Sequence, residues 1–209
     1  MADLPLTLDP ELAERLARAL DAEGKIPRAL DALGPVADRD VVLVGGGSLR
    51  AGQLVAAGAR VSGIEWDDGR IPVADGSADA IVGCWSVFRG VHAPELAEAD
   101  RVLRPGGRLL IVHDYGRDDV SGLRGDLPEY GTWSRRDGPF LAAGFRIRVL
   151  HCWWTFGDLE TASSFLGAAF GEPGTALAAG LRRPRLSYNV AVYHRDRTGS
   201  APTGAGHTA

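Results

Sequence analysis

Three consecutive glycines and one glutamate are the residues of this chain best placed to do chemistry. Gly45, Gly46 and Gly47 follow an aliphatic run at residues 41–44 and precede a helix-compatible segment at 49–59, after which a second apolar run ends on Glu65. Strand, glycine-rich turn, helix and strand in that order make a βαβ unit, whose turn lets a ligand approach the backbone and the helix N-terminus that follows. Glu65, closing the second strand, offers a carboxylate that can accept hydrogen bonds from two ribose hydroxyls. The four residues point to a nucleoside-containing ligand. The glycines alone would serve a tight strand-to-helix turn equally well, because glycine adopts φ values that other residues avoid.

Three ligand classes share that geometry. A P-loop is excluded, because no Gly-Lys-Ser/Thr follows the glycines and Lys25, the only lysine, lies well upstream. A dinucleotide fingerprint wants a glycine where this chain has Arg50. S-adenosylmethionine carries no phosphate and needs only close backbone approach and a ribose acceptor, which Gly45, Gly46, Gly47 and Glu65 supply. The other reactive side chains name no catalytic base. His113 and Asp114 end an apolar strand, but adjacent strand residues point to opposite faces and cannot simply form a dyad. His92 sits in a loop, and His151 and Cys152 read as packing beside Trp153 and Trp154. Tyr130 and Trp133 either line an aromatic pocket or anchor their loop.

The bulk properties bound the possibilities. With 209 residues, 45% hydrophobic and 24% charged, the chain has the composition of one ordinary α/β domain, expected over residues 1–195. A net charge of −4 argues against nucleic acid, whose binding relies on a positive field. Cys84 and Cys152 have neither disulfide-framework nor zinc spacing, so no metal is expected and a reducing cytoplasm suits them. No apolar run approaches the roughly 20 residues that span a bilayer. The start of the chain is acidic and proline-containing, unlike a signal peptide.

Elements that could position these residues follow in order. Residues 1–39 form a helical segment, with Asp9 as N-cap, Pro10 at the first helical position, and Leu12, Leu16 and Leu20 at helical spacing. Gly24 ends the first helix and Pro27 restarts a second. The segment is expected to pack against the sheet edge rather than act as a lid. From Glu65 to the apolar run at 78–83 the chain is too short for a crossover helix and another strand, so one strand is expected to be missing. Cys84 and Trp85 end that run at the ligand edge. A helix at 94–103 stops at Arg104-Pro105-Gly106-Gly107 before the strand that carries His113. Residues 116–135 read as a lid-like loop, 136–143 as a short helix, and 145–154 as a strand with one solvated face. Two helices and a closing strand at 187–195 follow, and 196–209 read as a disordered tail.

With those pieces in place the chain resembles class I S-adenosylmethionine-dependent methyltransferases, especially the type 11 group that includes the ubiquinone/menaquinone methyltransferases. VVLVGGGS stands at the family's Gly-rich motif and GIEW at its acidic second-strand end. IPVADGSADAIVGCWSV is similar to its Pro-Asp-Gly-Ser turn and fourth strand, and ELAEADRVLRPGGRLLIVHD to its next helix and strand. The likeness covers residues 41–149. It implies a Rossmann-like, doubly wound, mostly parallel sheet with one antiparallel strand near the end. It also implies S-adenosyl-L-methionine as cofactor, with Gly45 and Gly47 near the methionine, Glu65 on the ribose, Trp66 beside the adenine, and Cys84 and Trp85 bordering it. The chain departs from the pattern at Leu43, where the family has an acid, at Leu49, where it has a glycine, and in lacking the third-strand loop whose aspartate meets the adenine. Asp67, Asp68 or Asp75 could substitute.

The expected protein is therefore a bacterial, cytoplasmic methyltransferase acting on a small-molecule acceptor, without nucleic-acid or membrane partners. Its open sheet edge invites a homodimer. The alternative is a methyltransferase-like protein that has lost catalysis and serves as a binding or scaffold subunit. A cleft plugged by the chain's own side chains, with Glu65 turned to bulk water, would overturn the enzymatic reading even with the architecture right.

Overall fold

A computed structural model of the chain describes residues 4–45, 47–66 and 69–197. Gly46, Asp67, Asp68 and nearly all of the expected tail lie outside the described residues. Strand β1 (Asp40–Val44) lies between β2 (Arg60–Ile64) and β3 (Ala78–Cys84), followed across the sheet by β4 (Leu103–Asp114), β6 (Arg185–Asp196) and β5 (Arg146–Thr155). β6 runs antiparallel to both neighbours and the remaining pairs are parallel. Because side chains alternate along a strand, Val41, Leu43, Val82 and Leu110 fill one face while Val42, Val44, Ile81 and Leu109 fill the other. Strands buried on both faces explain the near-continuous aliphatic runs.

Helices α1 (Pro10–Ala19), α2 (Lys25–Leu33), α3 (Ser48–Ala56) and α7 (Leu159–Phe170) cover the first face through Leu16, Leu30, Leu54 and Phe165. Asp9 caps α1 as its sequence requires, accepting from the amides of Glu11 and Leu12 at 3.1 Å. Helix α2 starts at Lys25, two residues before Pro27, because Asp21 accepts from the amides of Lys25 and Ile26. The N-terminal helices contact β5, β6, α3 and α7 and cover a face of the sheet, while the turn between them meets the β5 edge, where Leu20 bridges Trp154 and the Asp21 amide donates to the Trp153 carbonyl at 3.0 Å. Helices α4 (Ala93–Val102) and α6 (Pro139–Ala142) serve the second face. Residues 116–135 are not a plain loop: α5 (Asp119–Arg124) forms there, started by a capping box in which Asp118 accepts from the Ser121 amide. Helix α8 (Glu172–Ala179) completes the pair with α7.

Between β2 and β3 the described residues contain neither strand nor helix, as the spacing predicts. The segment is nonetheless built in. Ile71 is fully buried against the second face. The Arg101 guanidinium of α4 donates to the carbonyls of Ile71 (2.9 Å) and Val73 (3.0 Å) and pairs with Asp75. Glu98 accepts from the Ile71 amide at 2.7 Å and pairs with Arg101 at 2.6 Å, and the Arg101 carbonyl takes the Gly76 amide at 2.9 Å. This polar clamp stands in for a crossover helix, and β2 remains an edge strand with Arg60, Ser62 and Gly63 exposed.

Replacing Arg101 with Ala strips two loop carbonyls and Glu98 of their charged donor at a largely buried position. We expect a loss of about 2–3 kcal/mol in chemical denaturation. A loss below about 0.5 kcal/mol would show that Ile71 burial alone holds the segment.

Candidate functional site

Gly45 leaves β1 with φ +64° and donates its amide to the Ile64 carbonyl at 2.9 Å, joining the Gly-rich turn to the end of β2. A Cβ at Gly45 would lie 2.6 Å from Ser86 Oγ and 3.3 Å from Val87, so both the left-handed backbone and the space require glycine. Gly47 is buried and serves as N-cap of α3 without any side-chain hydrogen bond to the first turn. Leu49, at the family's third glycine, is 37% exposed, and Leu43, at the family's acid, is buried in the core.

Glu65 follows β2 directly and is exposed, and Trp66 is half-buried with its ring edge-on to Phe88 at 4.9 Å. The Trp66 indole N–H has no partner among the described residues. A cleft of about 200 Å³ lies here, lined by Trp66, Gly69, Ser86, Val87, Phe88 and Arg89 with Glu95 at its rim. A larger groove of about 420 Å³ runs along Asp40, Arg60 and Ser62, toward the N-terminal ends of β1 and β2 and away from Gly45. The smaller cleft is the one at the edge where α/β sheets bind ligands. Asp75, a candidate for the adenine, is engaged by Arg101 instead.

Cys84 and Trp85 directly precede Ser86 but do not line the cleft. Both side chains turn into the first-face core, Cys84 fully buried and Trp85 3% exposed. The Trp85 indole N–H reaches Asp114 Oδ1 and Tyr188 Oη, each at 3.0 Å, while the Tyr188 hydroxyl donates to Asp114 and Arg124 pairs with the other carboxylate oxygen. Burial pushes the Asp114 carboxyl up, opposed mainly by the Arg124 charge. Arg124 also donates to the Pro5 carbonyl at 2.8 Å, tying the N-terminal segment to this network.

His113 faces the other way, as strand alternation demands. It is fully buried, 4.9 Å from the Trp133 ring and 5.9 Å from Phe140, with the backbone of Val87 and Phe88 beside its ring. Burial, reinforced by the Arg89 charge, pushes its pKa down to about 3, so the imidazole is neutral. His92 caps α4, His151 Nδ1 meets Asn189 Oδ1 at 2.8 Å, and burial pushes the Cys152 thiol up to about 12, which leaves it a poor nucleophile.

The residues that sequence reasoning missed are the ones between the cleft and His113. After β3 the chain holds Trp85, Phe88 and Val91 at φ of 42°, 53° and 60°, with Gly90 at 88°. Arg89 donates to the Trp85 carbonyl at 3.0 Å, lies 5.4 Å from the Trp133 ring centroid, and pairs with Glu129, which is 1% exposed. Only Gly90 could have hinted at an unusual backbone here.

Sheet order, the single antiparallel strand and the glycine-rich turn at the mouth of β1 define the fold of class I S-adenosylmethionine-dependent methyltransferases. Two solved structures share it: a proposed type II methyltransferase from Anaeromyxobacter dehalogenans (TM-score 0.53, 16% identity, 82% of this chain and 94% of that one), and a proposed antibiotic-pathway methyltransferase from Anabaena variabilis (TM-score 0.52, 12% identity, 85% and 98%). In sequence the chain is related to ubiquinone/menaquinone biosynthesis C-methyltransferases UbiE. It is 34% identical over 111 residues to that of Dinoroseobacter shibae and 38% over 123 to that of Methylobacterium nodulans. The matches cover 50% and 56% of this chain but only 44% and 46% of those proteins, so the chain spans a little under half the length of the curated relatives it matches. No family model matches the sequence. No helix of the described residues is long and apolar enough to cross a membrane.

The buried histidine makes a pH prediction. Its folded pKa is depressed, so the unfolded chain takes up a proton below about 6.5 while the native chain does not, and stability falls as pH drops from about 6.5 toward 3. Between pH 7 and pH 5 the wild type should lose on the order of 2 kcal/mol more than His113→Leu in urea titrations. Equal losses would mean that His113 is protonated in the native state.

Proposed function

We propose that the chain binds S-adenosylmethionine in the cleft between Gly45 and Trp66 and transfers its methyl group to a small-molecule acceptor. The observation that carries this reading is Gly45. It holds a left-handed turn with no room for a side chain, at the ligand edge of a parallel sheet, with the Glu65 carboxylate accessible at the end of the neighbouring strand. Gly45 and Gly47 would receive the methionine side of the cofactor, Glu65 the ribose hydroxyls, and Trp66 the adenine. Gly46, Cys84 and Trp85 are proposed with them on sequence alone. The bound cofactor supplies an electrophilic methyl on a sulfonium. In-line displacement from it gains much of its rate from alignment, so a catalytic base is not required by the chemistry. Relatedness to C-methyltransferases supports the transfer, and the buried thiols Cys84 and Cys152 suit a reducing cytoplasm. The exposed edge of β2 supports a homodimer paired through that strand.

A second reading, a methyltransferase-like scaffold without catalysis, is favoured by a specific observation as well. Ser86 and Val87 crowd Gly45, Glu65 faces solvent, and the cleft of about 200 Å³ is smaller than the roughly 300 Å³ at which ligand pockets begin.

Calorimetric titration with S-adenosylmethionine and S-adenosylhomocysteine separates the two readings: binding supports the first, and no heat and no thermal shift at millimolar ligand leaves the second. Given binding, Glu65→Ala should weaken it at least about tenfold, about 1.4 kcal/mol. Unchanged affinity in that variant would mean the ribose is held elsewhere.

A further inference from the structure

Residues 86–89 sit where a nucleoside would need space. Ser86 Oγ and Val87 close on Gly45, and a Cβ at Gly83 would meet Val87 at 2.7 Å and Phe88 at 3.0 Å, so the segment is pressed onto two side-chain-free positions, one just after β1 and one in β3. Phe88 meets Trp66 and seals the adenine side of the cleft. The segment reaches this position against its own backbone preference. Left-handed φ values are uncommon for Trp and Phe and a genuine outlier for β-branched Val91. What opposes that strain is the burial of Phe88 in the second-face core together with lateral attachment through the pair between Arg89 and Glu129, with the guanidinium on Trp133. The two partners are unequal. Glu129 is buried and has one carboxylate oxygen without a partner among the described residues, whereas the Arg89 side chain is 48% exposed and can hydrate if released.

We propose that residues 86–89 are a displaceable plug in the nucleoside cleft, latched by the Arg89–Glu129 pair, and that the cofactor enters by driving this segment out. The proposal rests on the cofactor reading above. A plug of this kind lowers apparent affinity by the fraction of molecules that are open, so changing the latch or the strain changes affinity without touching a ligand contact. The two levers have opposite signs. Glu129→Gln keeps the volume and removes the charge that holds Arg89, which favours the open state. Val91→Asn keeps a side chain but tolerates the left-handed backbone, which relaxes the closed state.

The test is hydrogen–deuterium exchange of the full chain, together with S-adenosylhomocysteine titration, on wild type, Glu129→Gln and Val91→Asn. In Glu129→Gln the amides of residues 86–91 should exchange about tenfold faster and S-adenosylhomocysteine should bind about tenfold tighter. Val91→Asn should show slower exchange in the same amides and weaker binding, and it carries the test should Glu129→Gln fail to fold. Unchanged exchange in both variants overturns the latch and the strain. Altered exchange with unchanged affinity overturns the plug. If exchange responds as stated but none of the three proteins binds S-adenosylhomocysteine, the cofactor reading fails, and the segment is not the gate of a nucleoside cleft.

Discussion

Two chain turns compete for one small volume at the ligand edge of this sheet, and much of the structure follows from how that competition is settled. The turn after β1 yields by being glycine, with the positive φ and missing side chain of Gly45. The turn after β3 takes the space, bringing Ser86, Val87 and Phe88 against it. That second turn is fixed from behind. The Trp85 indole is pinned by Asp114 and Tyr188, so β3, β4 and β6 are joined at their ends by one buried polar network, to which Arg124 adds the N-terminal segment. A buried network of this kind is costly unless fully satisfied, and here the carboxylate of Asp114 is met by indole, phenol and guanidinium together.

The shortened region beyond β2 acts on the same cleft from the other side. Without a further strand, Glu65 and Trp66 leave the sheet from an edge, and the wall that an additional βα unit would have formed is made instead by Trp66 on Phe88. The loop that replaces the strand is held by buried Ile71 and by five polar contacts to Glu98 and Arg101, so the truncation is accommodated by specific residues of α4. The ligand edge thus has a rigid floor from β3 to β6 and a lighter frame around Glu65.

How legible the fold was depended on whether the decisive interaction is local. Asp9 and Pro10 announce α1 because a cap is an adjacent-residue device, and the missing strand follows from counting residues between Glu65 and Ala78. Helix α5 gives no periodic signal because it has only six residues, although Asp118 and Ser121 carry the capping signal. The start of α2 is hidden in the sequence because its cap, Asp21, stands four residues ahead of Lys25 and not next to it. Gly45, Glu65 and Trp66 could be singled out from their motifs; Trp66 lines the cleft, Gly45 lies against Ser86 and Val87 of its lining, and Glu65 is exposed just before Trp66. Residues 85–91 could not, because their left-handed backbone runs against the preferences of Trp, Phe and Val and is imposed by partners as distant as Glu129 and Tyr188.

A crystal structure of the full chain grown with S-adenosylhomocysteine tests the central claim most directly. The account predicts the nucleoside between Gly45 and Trp66, its ribose hydroxyls on the Glu65 carboxylate, and residues 86–88 moved off Gly45. Ligand bound at any other place, or residues 86–88 still seated on Gly45 in crystals saturated with ligand, would contradict it.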